Sequence, residues 1–98
     1  MPRHPLPEPV YEIDLHGMGQ ASALARLVEQ LTFCRARRMT PVLVITGRGW
    51  GSEGGRAVLA PAVKDWLEGA EGRALGVVEC RPQHRGGAFW VRLERRDP

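Results

Sequence analysis

Val42-Leu43-Val44-Ile45, entered through Pro41 and left through Thr46-Gly47-Arg48-Gly49, is the most strand-like run in the chain. Three of its four residues are β-branched and none is polar. That is the pattern of a central strand buried on both faces. Thr46 ends it, and the chain opens into Gly47-Arg48-Gly49-Trp50-Gly51-Ser52-Glu53-Gly54-Gly55, with five glycines in nine residues. Upstream, Leu24, Leu27, Val28, Leu31 and Cys34 recur at helical spacing and predict a helix from Gln20 to about Arg38. Its other face holds Glu29, Gln30, Arg35, Arg37 and Arg38, and basic residues in a last turn also complement the helix dipole. Before that helix, Val10 to Leu15 alternates like a strand until His16-Gly17-Met18-Gly19 breaks it.

Downstream of the glycine loop, Leu59, Ala62, Val63, Trp66 and Leu67 mark a second helix over roughly Arg56 to Glu68. Pro61 fits its first turn, where a missing N–H does little harm. Leu75–Cys80 and Ala88–Leu93 read as two further strands joined by Arg81-Pro82-Gln83-His84-Arg85-Gly86-Gly87. The resulting order, β-α-β-α-β-β, predicts an α/β fold with both helices on one face of a small mixed sheet. No internal repeat is visible. Residues 1–9 hold four prolines and read as an N-terminal tail, residues 10–95 as the domain, and residues 96–98 as a short C-terminal tail.

Composition narrows the class. The chain has 98 residues, 43% hydrophobic and 26% charged, a globular balance with room for one two-layer core. No apolar run approaches the ~20 residues that span a bilayer, and the N-terminus lacks the apolar core of a secretory signal. With two cysteines, Cys34 and Cys80, a disulfide scaffold is excluded, though one bridge is not. A cytoplasmic protein without membrane contact is expected. Residues 1–80 carry nine basic and nine acidic side chains, so the formal excess of +3 lies in residues 81–98. There, Arg81, Arg85, Arg92, Arg95 and Arg96 face only Glu94 and Asp97. Arg forks suit phosphate oxygens, so the basic stripe points to a nucleic-acid partner.

Strand alternation puts Ile13 and Leu15 on one face and Glu12, Asp14 and His16 on the other. With Ile13 and Leu15 packed on the helices, Asp14 and His16 project together from the strand's C-terminal end, where α/β sheets gather their ligands. A carboxylate two residues from a histidine on one face can orient the ring for general acid–base work. The same residues also read as an exposed aspartate and a turn histidine with local hydrogen bonds. Glu12, Asp14 and His16 could lend ligands to a metal, but one strand rarely completes a site. Thr46-Gly47-Arg48-Gly49 follows a buried strand and precedes a helix, a setting in which glycine amides and a helix N-terminus cradle an anion. No Gly-Lys-Ser/Thr follows, so it is not a Walker loop. His84, Arg85, Gly86 and Gly87 offer a ring and a fork on a glycine turn. Trp50 lies in the glycine loop; Trp90 shares a strand face with Arg92 and is either a stacking platform or the lid of a minor core. Trp66 and Cys34 read as core residues, and neither cysteine reads as a nucleophile.

Three segments together resemble one family. Ile13-Asp14-Leu15-His16-Gly17, Ile45-Thr46-Gly47-Arg48-Gly49 and Gly87-Ala88-Phe89-Trp90-Val91-Arg92-Leu93 stand in the order and spacing of the Smr (small MutS-related) domain, over about residues 10–95. Ser52, Gly54, Gly55, Leu59, Trp66 and Leu67 are similar to its loop and second helix. The resemblance implies a two-layer α/β sandwich like the C-terminal domain of translation initiation factor three. It also implies nuclease activity, on DNA by nicking or on RNA, in some members at stalled ribosomes. Asp14 and His16 match the family's strand-end pair, and Gly47, Arg48 and Gly49 its glycine loop. Gly51 stands where some members have a second loop histidine, and His84 and Arg85 stand where the last signature has glycines. Gly19 replaces the usual helix-capping threonine, at a cost of only a few tenths of a kcal/mol.

The expectation is therefore an endonuclease of little sequence preference. His16 is the candidate general base, Asp14 its orienting partner or a ligand of a divalent ion such as Mg or Mn, and Arg48 a catalytic charge. Thr46, Gly47 and Gly49 form the candidate phosphate loop. His84, Arg85, Gly86, Gly87, Trp90, Arg92, Arg95 and Arg96 are the candidate nucleic-acid contacts. The alternative is a non-catalytic module that docks on nucleic acid or the ribosome; a small-molecule phosphate enzyme would need a deeper pocket.

Overall fold

The structure, a computed structural model, describes residues 5–47 and 59–94. Strand β1 (Tyr11–Asp14) leads to helix α1 (Gln20–Ala36), strand β2 (Val42–Ile45), helix α2 (Leu59–Glu68) and a short helix α3 (Ala70–Ala74). Strand β3 (Val77–Gln83), a 3-10 turn over His84–Gly86 and strand β4 (Ala88–Leu93) complete the chain. The sheet order is β1-β2-β4-β3. β1 and β2 are parallel, and β4 runs antiparallel to both its neighbours. The expected mixed sheet and element order are thus present, with β2 inside the sheet.

One core forms on one sheet face. Ile13 and Leu15, Val42 and Val44, and Phe89, Val91 and Leu93 occupy alternate positions and pack with Leu27, Leu31 and Cys34 of α1 and Leu59, Val63, Trp66 and Leu67 of α2. Each fully buried leucine contributes about 1.5–3 kcal/mol by leaving water. The α1 stripe is Ala23, Leu27, Leu31 and Cys34, whereas Val28, expected inside, is exposed. An i, i+4, i+8 row through Ala23 aims more squarely at the sheet than one through Val28. α1 also stops at Ala36 rather than Arg38, because Arg38 turns left-handed at φ 58°. The bridge that two cysteines allow does not form: both thiols are free, and burial pushes each up to about 11.

β2 is buried at Val42 and Val44 on the helix face and at Leu43 on the other, as expected, while Ile45 is half-buried; Leu43 and Ile45 line a cleft on the face away from the helices. Two further expectations change. β3 runs Val77–Gln83 instead of Leu75–Cys80. It is an edge strand, so Pro82 needs no ladder donor on its outer side and does not end it. α3 is the unexpected element. Gly72 sits so close under the Leu67 carbonyl that a Cβ there would collide with it. Arg35 joins the helices to the sheet. Its guanidinium donates to Ala74 O (3.1 Å) and pairs with Glu94 (3.2 Å), so this member of the basic cluster has a structural role. Residues 5–9 take no regular structure, yet Pro7 O accepts a 2.8 Å bond from the Trp90 indole. No helix among the described residues is long and apolar enough to cross a membrane.

Candidate active site

β1 and β2 end side by side because they are parallel, with Asp14 paired to Ile45. β1 presents Asp14 on the face away from the core, and His16 follows one residue beyond its buried neighbour Leu15. Asp14 Oδ1 lies 2.7 Å from His16 Nδ1 and also accepts the His16 backbone N–H at 3.1 Å. Both side chains are open to solvent, 68% exposed for His16 and 51% for Asp14. The ring bond first, then the backbone bond, holds the Asp14 carboxyl below its ordinary value. In the neutral ring, a charged Asp14 favours the tautomer with the proton on Nδ1, in which Nε2 carries the lone pair.

β2 delivers the next part. Gly47 takes φ +80°, and a Cβ there would stand 3.3 Å from His16 Cβ, so the loop lies directly against the histidine. Gly87 O receives the amides of Thr46 and Gly47, both at 3.0 Å, and the buried Thr46 hydroxyl approaches it at 3.4 Å. This corrects the reading of Gly47 as an anion donor: its N–H is already bonded, and its contribution is close approach. Thr46 likewise locks β2 to β4. Arg48, Gly49 and Trp50 lie outside the described residues, as do Arg95 and Arg96.

The third part comes from the turn before β4. His84 (φ 51°), Arg85 (φ 55°) and Gly86 (φ 88°) are all left-handed. For non-glycine residues that strain is of order 1–3 kcal/mol each, and it concentrates where function does. The Gly87 amide closes the turn onto His84 O at 3.0 Å. The strained pair lines a cleft of about 760 Å³ with Glu12, Leu43, Ile45, Gly47, Gly87 and Ala88. Three segments far apart in sequence thus converge at one end of the open sheet face. Leu43, Ile45 and Ala88 are the residues that sequence reading missed. The signal was available, since a β2 parallel to β1 sets Leu43 beside Glu12 on the polar face.

Trp90 is the clearest correction. It is 4% exposed and bonded to Pro7, so it offers no open stacking surface. The lid of a minor core describes it better. Arg92 is exposed, but its Nε is bonded to Glu79 (3.0 Å), which also holds Arg81 (2.8 Å). Those guanidiniums, Arg92 first, hold the Glu79 carboxyl below its usual range. Among the described residues no three His, Cys, Asp or Glu side chains group to hold a metal ion. Asp14 Oδ1 is occupied by His16, so the donor set does not by itself fit Mg or Mn.

These parts have counterparts in known proteins. The family model of the Smr domain matches residues 13–94. Among solved structures, the crystal structure of the Smr domain of Thermus thermophilus MutS2 is similar. It has 25% sequence identity and a TM-score of 0.69 over 87% of this chain and 99% of that one. No curated protein matches the chain. Smr domains are known for nuclease activity and nucleic-acid binding. On a match that runs from the end of β1 through the Asp14–His16 pair and the glycine loop to the end of β4, this chain belongs to the Smr domain family.

Proposed function

We propose that the chain is an endonuclease that cleaves phosphodiester bonds in DNA, by nicking, or in RNA, with little sequence preference. The observation that carries this reading is the 2.7 Å Asp14–His16 bond, set against Ile45 and Gly47, which line a cleft together with Arg85 and His84. His16 Nε2 takes a proton from water, or from the 2′-hydroxyl of RNA, as that oxygen attacks phosphorus. Asp14 holds the tautomer and stabilises the imidazolium that forms. His84 is the candidate acid for the departing 5′-oxygen. Arg48, the Gly49 amide and Arg85 take the charge that develops on the phosphate. Arg92, Arg95 and Arg96 follow the backbone and make binding salt-dependent rather than sequence-selective.

The test is cleavage of supercoiled plasmid and of a structured RNA at low salt by wild type and His16→Ala, with and without EDTA. The expected loss in the variant is about 10²–10⁴-fold with binding unchanged. The substrate that is cut assigns DNA or RNA, and sensitivity to EDTA would bring in a divalent ion. Equal cleavage by both proteins, or none by either while both bind, replaces this reading with a non-catalytic nucleic-acid- or ribosome-binding module.

A further inference from the structure

The open sheet face carries a second depression, separate from the cleft, lined by Pro7, Thr40, Pro41, Trp90, Arg92 and Leu93. One wall is the chain's own N-terminal segment: Pro7 of Pro5-Leu6-Pro7-Glu8-Pro9 lines the depression, and Trp90 Nε1 donates to Pro7 O at 2.8 Å. Every residue of that segment is restricted to extended geometry. Three are fixed by their own rings, and Leu6 and Glu8 by the ring that follows each. Its prolines have no N–H, so their carbonyls are what a receptor can bond. An indole N–H beside apolar walls is how aromatic-lined grooves recognise such segments.

From this geometry we infer that the groove around Trp90 is a binding site for a proline-rich extended peptide, its indole N–H taken in cis by Pro7. The tether is short. Pro7 lies a few residues before Val10, whose amide bonds Pro41 O at 2.9 Å. A short link gives an effective concentration on the order of mM or above, so even a weak groove stays occupied. A partner's proline-rich segment binds here by displacing the chain's own. Because Leu43 of the cleft pairs with Trp90 across β2 and β4, that partner is seated beside the candidate active site. The burial of Trp90, unexplained by the helix-side core, follows from the same arrangement.

The experiment uses the full-length chain, labelled with ¹⁵N, and follows the Trp90 indole N–H, assigned by its absence in Trp90→Phe. It compares wild type with a variant carrying Pro5→Gly, Pro7→Gly and Pro9→Gly, changes that replace no core residue. Indole exchange is expected to be at least tenfold faster in the variant. A synthetic Pro-Leu-Pro-Glu-Pro peptide should shift the variant's Trp90 signal saturably and leave the wild-type signal unmoved, and a peptide with glycines for prolines should do neither. Equal exchange in the two proteins overturns the inference. So does a peptide that fails to shift the variant, or that shifts both proteins alike. An oligonucleotide that shifts the variant where the peptide does not would make the uncovered indole a base platform and equally end the proposal. None of these outcomes depends on whether His16 cleaves anything.

Discussion

Asp14 uses one carboxylate oxygen for two bonds to the same neighbour, the His16 ring and the His16 amide. The short i, i+2 loop therefore orients the base without help from a third residue. Because folding lowers the Asp14 pKa, the bonds add stability above the ordinary value of 3.8 and lose it as pH falls through the lowered folded value. Following the Asp14 carboxyl carbon against pH should give a midpoint below 3.8 in wild type, and His16→Ala should bring it back up. A wild-type midpoint at the ordinary value would mean the dyad does not form in solution. Alternation along one strand was enough to place Asp14 and His16 together, since a period of two needs no partner. Gly47 and Trp90 were not legible in that way. The Gly47 amide is taken by Gly87 and the Trp90 indole N–H by Pro7, contacts that depend on strand pairing and chain return over 40 and 83 positions.

Among the elements, β2 is the one that joins core to site: its helix face is sealed by Val42 and Val44, and its other face floors the cleft. Two glycines separate those roles. Gly47→Ala forces a side chain into φ +80° against His16, at about 1–2 kcal/mol, and should lower both the denaturant midpoint and cleavage. Gly72→Ala drives a methyl into the Leu67 carbonyl between α2 and α3. It should lower stability by about 1–3 kcal/mol and leave cleavage by the folded protein intact. Unchanged cleavage in a folded Gly47→Ala would detach the loop from the site. The long elements were readable because α1 and β2 are strongly patterned. α3 was not, because Ala70-Glu71-Gly72-Arg73-Ala74 is too short to show a period. β3 slipped because proline was read as an interruption, which an edge strand need not obey.

For the whole molecule, the decisive asymmetry is a sheet with helices on one face and titratable, basic and strained residues on the other. Sequence order and charge location made that legible at the level of class, since Arg81 and Arg92 fall in the last two strands and Arg85 in the turn between them. What it concealed is that Glu79 bonds two of them, leaving Arg85 as the fork that lines the cleft. Binding to single-stranded nucleic acid should therefore weaken with salt, and Arg85→Ala should reduce the magnitude of the log–log slope by about 1. Arg81→Ala should change it less; the reverse order would move the phosphate path from the cleft to β3. In the proposed mechanism the His16 ring itself moves the proton during strand cleavage. The most direct measurement is the cleavage rate of His16→Gly under saturating protein, with and without added imidazole. His16→Gly should be inactive, and its activity should return with imidazole concentration, an effect absent from wild type. No return of activity in a folded variant that still binds nucleic acid would contradict it.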